Sequence, residues 1–170
     1  MPNYIRPKVP GAAVFLTVAL ARRGTWVLVE NVGALREAVR ATRAERPFGI
    51  AAWVVLPDHF HCVWRLPEGD AEYSVRMGAI KARFTMAMRR AGFTPPDPVG
   101  RKNGGVNPAL RRKGEVGLWQ PRFYEHHIRD EDDLARCVAY CHWNPVKHGF
   151  VERPEDWVWS SYRRDVGVRA

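Results

Sequence analysis

The order of strand-like and helix-like segments is the feature that most constrains the fold of this chain. Four runs rich in β-branched and aromatic residues predict strands, and two runs with apolar residues every three or four positions predict helices. The strands are residues 11–20, 49–56, 59–66 and 122–129, and the helices are residues 33–46 and 74–90. The resulting order, strand-helix-strand-strand-helix-strand, predicts an α+β fold with a ferredoxin-like βαββαβ antiparallel sheet covered by helices.

One more helix is predicted after the last strand. Residues 131–143 have helical spacing, Asp130 suits the N-cap position, and Asn144 followed by Pro145 predicts the end of the helix. Residues 26–29 predict a short strand or an extended connection. The expected architecture is therefore the ferredoxin-like sheet with an additional C-terminal helix.

The chain of 170 residues suits a single domain. Within it we expect an extended N-terminal arm at residues 1–10, a flexible basic loop at 91–118 and a C-terminal tail at 151–170. The three cysteines, Cys62, Cys137 and Cys141, do not form a disulfide framework, which favours the reducing cytoplasm. The apolar run at residues 12–21 alternates as a strand does, so we do not interpret it as a signal peptide or a membrane span.

The charge balance favours a polyanionic partner. Lys and Arg number 27 against 18 acidic residues, a formal net charge of +9. From residue 73 to residue 114 the only acidic side chain is Asp97, which suits contact with a phosphate backbone, although a solvated charged surface is the alternative. The basic residues that we expect to contact DNA are Arg83, Arg89, Arg90, Arg111, Arg112, Lys113, Arg122 and Lys147.

Two histidines form the first constellation with chemical content. In a strand, residues i and i+2 point to the same face, so His59 and His61 project side by side while Phe60 points into the core. Two neutral imidazoles are half of a site for a divalent metal ion. The alternative is a pair of half-buried histidines with hydrogen-bonded rings.

Tyr140 and Asn144 lie four residues apart on the last predicted helix, one above the other. One interpretation is an amphipathic tyrosine with its ring in the core and its oxygen in water. The other is a nucleophile that attacks a phosphodiester, with the Asn144 amide oxygen completing the metal site. Oxygen-rich ligands would favour Mg²⁺ or Mn²⁺ over zinc.

Three segments together resemble one family. They are DHFHCVW at 58–64, WQPRFYEHHIRDEDDL at 119–134 and YCHWNPVKHGFV at 140–151. The chain resembles the REP-associated tyrosine transposases, relatives of the single-tyrosine HUH transposases of small insertion sequences, from about residue 4 to about residue 163. The resemblance aligns the family's histidine pair with His59 and His61, its nucleophile with Tyr140 and its polar metal ligand with Asn144. More distant insertion-sequence enzymes commonly have glutamine at that last position.

The resemblance implies a metal-dependent endonuclease and strand transferase that acts on single-stranded DNA with a palindromic hairpin. It implies a 5′-phosphotyrosine intermediate, a free 3′-hydroxyl, Mg²⁺ or Mn²⁺ as the ion, and no nucleotide cofactor. It also implies a monomer, located in the cytoplasm with the nucleoid.

Three alternatives remain at this stage. The chain could be a non-catalytic protein that binds hairpin nucleic acid. It could hold a structural zinc ion with His59, His61, Cys137 and Cys141. Tyr124, beside Glu125 in a predicted strand, is a rival nucleophile.

Overall fold

A computed structural model describes residues 7–93 and 117–167. Its sheet consists of β1 (Ala13–Ala19), β2 (Gly49–Val55), β3 (His59–Arg65) and β4 (Tyr124–His127). The strand order is β2-β3-β1-β4, and every neighbouring pair is antiparallel. The described helices are α1 (Val27–Glu30), α2 (Val32–Glu45), α3 (Tyr73–Arg90), α4 (Glu131–Lys147) and α5 (Tyr162–Asp165). The predicted α+β ferredoxin-like sheet with an extra C-terminal helix is confirmed.

The two faces of the sheet carry different helices. Phe60, Cys62 and Trp64 are fully buried on the face that α2 and α3 cover. The contact runs from Phe84 on α3 through Trp119 to Phe60. Alternation along β3 therefore turns both histidines to the opposite face, against which α4 packs. The hydrophobic core thus fixes which side of the sheet carries the polar site.

The prediction of a strand or an extended connection at 26–29 is wrong. Trp26 is the N-cap of α1, and the N–H groups of Glu30 and Asn31 donate to the carbonyls of Trp26 and Val27 at 3.0 and 3.1 Å. Leu28 and Val29 are buried in the core. Burial of two adjacent apolar side chains outweighs the strand preference of this sequence, because propensity is weaker than tertiary packing.

The prediction that α4 ends at Asn144 and Pro145 is also wrong, because the helix continues to Lys147. The N–H of Phe150 donates to the Pro145 carbonyl at 3.0 Å, and the N–H of Gly149 donates to the Val146 carbonyl at 2.9 Å. Gly149 has φ 73°, which completes a Schellman motif. This closure satisfies the last carbonyls and keeps Asn144 inside the helix.

The C-terminal segment packs back on the edge of β2. The Val55 N–H donates to the Trp159 carbonyl at 2.8 Å, and the Ser161 N–H donates to the Trp53 carbonyl at 2.7 Å. Trp157 is buried and its indole N–H donates to the Val55 carbonyl at 2.8 Å. Residues 159–161 therefore cover the outer edge of the sheet.

The predicted arm at 1–10 and loop at 91–118 fall largely outside the described residues.

A partly buried ion pair supports the start of α3, and its removal is expected to destabilise the fold. Both guanidinium NH₂ groups of Arg76 donate to Asp70, at 2.8 and 2.6 Å, and Arg76 is only 3% exposed. The hydrogen bond from Arg76 lowers the pKa of Asp70 to about 2. We expect Asp70→Asn to lower the free energy of unfolding by about 2 kcal/mol at pH 7, because Arg76 loses its charged partner.

The pH dependence of this effect has a defined sign. Since the folded-state pKa of Asp70 is depressed, its stabilisation is present above its ordinary pKa near 4 and is lost as the pH falls towards 2. Urea denaturation of the wild-type and Asp70→Asn proteins at pH 7 and pH 3 should therefore show a smaller difference in the free energy of unfolding at pH 3. Glu37→Gln, at the exposed pair with Arg40, is the control and should change stability much less than Asp70→Asn does. A pH-independent difference between the Asp70 proteins would contradict this account.

Candidate active site

The two histidines lie on β3, a central strand of the sheet, and share one face. Their ring centroids are 5.0 Å apart with nearly perpendicular planes. His59 is 6% exposed and His61 is 4% exposed, so both rings are buried beneath α4. Ladders to β1 and β2 fix the backbone on both sides. The strand alternation predicted from the sequence therefore places two imidazoles side by side, as expected.

The orientation of His59 is set by Asp58. The His59 Nδ1 atom lies 2.7 Å from Asp58 Oδ1 and 3.3 Å from an Arg23 NH₂ group. Arginine can only donate, so Nδ1 cannot accept from Arg23 and donate to Asp58 at the same time. The contact with the carboxylate is the shorter of the two, which favours a proton on Nδ1 and leaves the lone pair on Nε2. Asp58 also accepts the Gly24 N–H at 2.6 Å. This arrangement is the carboxylate–histidine pairing that orients metal-ligating imidazoles.

His61 is oriented in the same sense by a hydroxyl. Its Nδ1 lies 2.8 Å from Thr17 Oγ1, on the neighbouring strand β1. Its Nε2 is buried and has no hydrogen-bond partner among the residues that the structure describes. A buried imidazole nitrogen without a partner is costly, and a bound cation would satisfy it.

Burial keeps both rings neutral. Desolvation lowers the pKa of His61 to about 3 and lowers the pKa of His59 despite the opposing effect of the hydrogen bond that His59 donates to Asp58. Burial opposes ionisation of Asp58, but hydrogen bonds from His59 and Gly24 hold its pKa below the ordinary value. Neutral imidazoles beside an ionised carboxylate are the protonation states that metal binding requires.

Helix α4 brings Tyr140 and Asn144 to the same place. The Tyr140 ring lies 5.1 Å from the His61 ring and 5.7 Å from the Phe15 ring, and 41% of the residue is exposed. Asn144, one turn later, is 1% exposed, and within residues 7–93 and 117–167 neither its Oδ1 nor its Nδ2 has a hydrogen-bond partner. The structure therefore brings Tyr140 to the histidine pair, and the helical spacing puts the buried Asn144 one turn further along the same side of α4.

The donor set fits a divalent cation. Two neutral imidazole nitrogens and one amide oxygen are available, and the His61 and Asn144 atoms are buried without partners. Three protein ligands leave coordination positions for substrate oxygen or water, as a catalytic ion needs. A bound cation would satisfy these buried atoms of His61 and Asn144.

The comparisons with known proteins agree on one family. A REP-associated tyrosine transposase of Escherichia coli K12 is 40% identical over 166 residues, which are 98% of this chain and 86% of that protein. A Haemophilus influenzae protein with the same family name is 37% identical over 98% of this chain and 88% of its own length. The chain belongs to the REP-associated tyrosine transposases. No family model matches the sequence.

A solved structure supports this assignment. A REP-associated tyrosine transposase bound to a REP hairpin superimposes with a TM-score of 0.81 at 39% identity, covering 99% of this chain and 87% of that one. The chain is therefore a transposase-type enzyme that cleaves DNA, with the mixed fold of its family. In the two described parts of this transposase, no helix is long and apolar enough to cross a lipid bilayer.

Sequence reasoning missed one residue beside the transposase site. His148 is the C-cap of α4 and lies 5.6 Å from His59, ring to ring. Tyr140, Asn144 and His148 follow one another at four-residue spacing, which places them in a row along one side of the helix. The four-residue spacing could have identified His148 from the sequence. It was not used because the helix was predicted to end at Asn144, before His148.

The rival nucleophile Tyr124 lies at the edge of the site. It is 60% exposed on β4, and its ring lies 6.4 Å from Phe15. The Phe15 ring lies between the rings of Tyr124 and Tyr140. The Tyr140 ring contacts His61 directly. The geometry therefore favours Tyr140, and Tyr124 serves as the natural comparison in an experiment.

The alternative zinc site of His59, His61, Cys137 and Cys141 does not form among the described residues. Among the described residues, the His, Cys, Asp and Glu donors that lie within 4.8 Å of one another are His126, Asp133 and Cys137. Their geometry is that of an ion pair tying β4 to α4, with Asp133 Oδ2 2.8 Å from His126 Nε2. Asp133 also accepts the Arg129 N–H at 3.1 Å, so its oxygens are already engaged.

The basic residues expected to contact DNA divide into three groups. Arg83 donates to Thr42 and Glu45 across the α2–α3 contact, which gives it a structural role. Arg89, Arg90, Arg122 and Lys147 are exposed, and Lys147 Nζ lies 5.3 Å from the centre of the Tyr140 ring. The remaining three, Arg111, Arg112 and Lys113, lie outside the described residues.

Proposed function

We propose that this transposase cleaves and rejoins single-stranded DNA beside a palindromic hairpin, with Tyr140 as the nucleophile. The observation that carries the proposal is the convergence of an exposed phenol, 5.1 Å ring to ring from His61, with the buried and unpartnered polar atoms of His61 and Asn144. The related structure bound to a REP hairpin supports the class of substrate. A DNA substrate of this kind implies a cytoplasmic protein at the nucleoid.

The chemistry is a phosphoryl transfer. The Tyr140 oxygen forms a bond to phosphorus, the bond from phosphorus to the 3′ oxygen breaks, and the phenol proton is lost as the leaving 3′-hydroxyl gains one. The 5′ end stays attached to the enzyme as a phosphotyrosine, which preserves the bond energy for rejoining by a 3′-hydroxyl. The reaction needs no nucleotide cofactor, because one phosphoester bond forms as another breaks.

His59, His61 and Asn144 would hold the divalent ion through two Nε2 atoms and one amide oxygen. When bound, the ion supplies Lewis-acid polarisation of the phosphate and stabilises charge on its oxygens. Because the remaining ligands are phosphate and water oxygens, Mg²⁺ or Mn²⁺ suits the site. Lys147, beside the Tyr140 ring, supplies positive charge towards the DNA backbone.

We further propose that the 170 residues act as one domain and as a monomer, since all four site residues come from this chain. Arg89 and Arg90 at the end of α3 and the exposed Arg122 are proposed as further contacts to the DNA backbone. Such contacts would make affinity strongly dependent on salt.

The test is the formation of a covalent complex. The wild-type chain is incubated with a labelled hairpin oligonucleotide that carries a single-stranded flank, with Mn²⁺ or with EDTA, and analysed on a denaturing gel. A labelled protein–DNA adduct that requires Mn²⁺ supports the proposal. Salt-sensitive binding without an adduct under either condition would overturn it in favour of the non-catalytic hairpin-binding protein.

The carboxylate behind His59 is expected to control affinity for the ion. In Asp58→Asn the side-chain NH₂ group would donate to His59 Nδ1, which moves the ring proton to Nε2 and blocks the ligating nitrogen. We expect the affinity for Mn²⁺, measured by calorimetric titration without DNA, to fall by about 10- to 100-fold. Asp156→Asn, at an exposed pair with Arg153, is the control and should leave the affinity unchanged. An unchanged Asp58→Asn titration would show that His59 does not depend on this carboxylate.

A further inference from the structure

The geometry points to a second DNA-binding element next to the active site: we propose that Trp26, held edge-on against Phe150, stacks on an unpaired base that adjoins the scissile phosphate. The inference deepens the proposed function and rests on it. It assigns these two rings the role of positioning the single-stranded part of the substrate.

A continuous row of rings leads from the site to these residues. His148 lies 5.6 Å from His59, Phe150 lies 6.1 Å from His148 with nearly parallel planes, and Trp26 meets Phe150 edge-on at 5.8 Å. The pair therefore begins one ring away from a proposed metal ligand. A strand whose phosphate lies at the histidine pair would have its neighbouring nucleotides within reach of this row.

Both rings are accessible although they are large and apolar. Trp26 is 50% exposed and Phe150 is 37% exposed. Phe150 is supported from behind by Trp157, which is 5% exposed and stacked on it at 5.2 Å. Trp26 is held by its position at the start of α1. Rigid aromatic faces that remain in water are the usual platforms for unpaired bases.

The charge around the rings suits the same occupant. Arg23 is half exposed and lies in the turn just before Trp26, with its Nε 3.2 Å from Asp58 Oδ2. Its guanidinium therefore lies beside His59, three residues before Trp26 in the chain, where it would meet the sugar-phosphate backbone. A cation beside stacking rings is the combination that binds single strands with little sequence preference.

The test compares two oligonucleotides and two tryptophans. Trp26→Ala should weaken binding of a hairpin with a single-stranded flank by about 5- to 100-fold, the cost of one lost stacked base, and leave binding of the hairpin without a flank unchanged. Trp143→Ala, at a 54% exposed tryptophan on α4, is the matched control and should affect neither. A 2-aminopurine placed in the flank should be quenched by the wild-type chain and not by Trp26→Ala.

A conservative variant separates stacking from a structural role. Trp26→Tyr retains an aromatic face and should restore most of the affinity and of the quenching. Equal losses for both oligonucleotides, the same loss in Trp143→Ala, or failure of Trp26→Tyr to restore binding would overturn the inference. Failure of the proposed function looks different, because the wild-type chain would then form no Mn²⁺-dependent adduct with either oligonucleotide.

Discussion

Tyr140→Phe is expected to abolish the covalent protein–DNA adduct while hairpin binding stays within about twofold of the wild type. The substitution removes only the hydroxyl oxygen that would attack phosphorus. The phenyl ring keeps its contacts with His61 and Phe15, so the fold and the DNA surface are preserved. A labelled flanked hairpin, Mn²⁺ and a denaturing gel measure the adduct, and a filter-binding titration measures the affinity.

Tyr124→Phe is the matched control for this experiment. Tyr124 is more exposed than Tyr140 and also contacts Phe15, but it lies on β4. The Tyr124→Phe protein should form the adduct at the wild-type level. Loss of the adduct in Tyr124→Phe with an undiminished adduct in Tyr140→Phe would transfer the role of nucleophile to the strand.

Asn144→Leu is expected to stabilise the protein and inactivate it at the same time. Asn144 is buried and both of its amide atoms lack partners, so a leucine of similar size should raise the free energy of unfolding by about 1–2 kcal/mol without a divalent ion. The same change removes one of the three proposed ligands. We expect the rate of adduct formation to fall by about 10²- to 10³-fold, equivalent to about 3–4 kcal/mol.

Urea denaturation in EDTA and single-turnover adduct formation in Mn²⁺ measure the two effects separately. Trp143→Leu, on the exposed side of the same helix, controls for helix propensity and should change both by much less. A destabilised Asn144→Leu protein would show that the amide has partners in the folded state. An unaffected rate would remove Asn144 from the proposed ion site.

The parts of the site that depend on local periodicity could be predicted from the sequence alone. Strand alternation placed His59 and His61 on one face, and four-residue spacing placed Asn144 one turn beyond Tyr140. The order of strands and helices was enough to predict the ferredoxin-like sheet. These features are set by repeats that span a few residues, so they can be read without knowledge of tertiary contacts.

The residues that orient the imidazoles could not be predicted in this way. Thr17 meets His61 because of the register between β1 and β3, and Arg23 meets Asp58 because a turn brings them together. Both contacts join positions more than 30 residues apart in the chain. His148 was missed for a different reason, since its place depends on the helix closure at Gly149, where hydrogen bonds outweigh the tendency of Pro145 to end a helix.

The way in which residues 159–161 pair with β2 has a consequence for self-association. An uncovered outer strand offers its N–H and C=O groups to any neighbouring chain, and sheet extension of that kind is a common route to dimers and aggregates. Here the main chain of Trp53 and Val55 is already occupied by the protein's own C-terminal segment. Two copies brought together on adjacent DNA repeats would find no free backbone groups at that stretch of β2 and could not join there by adding a strand.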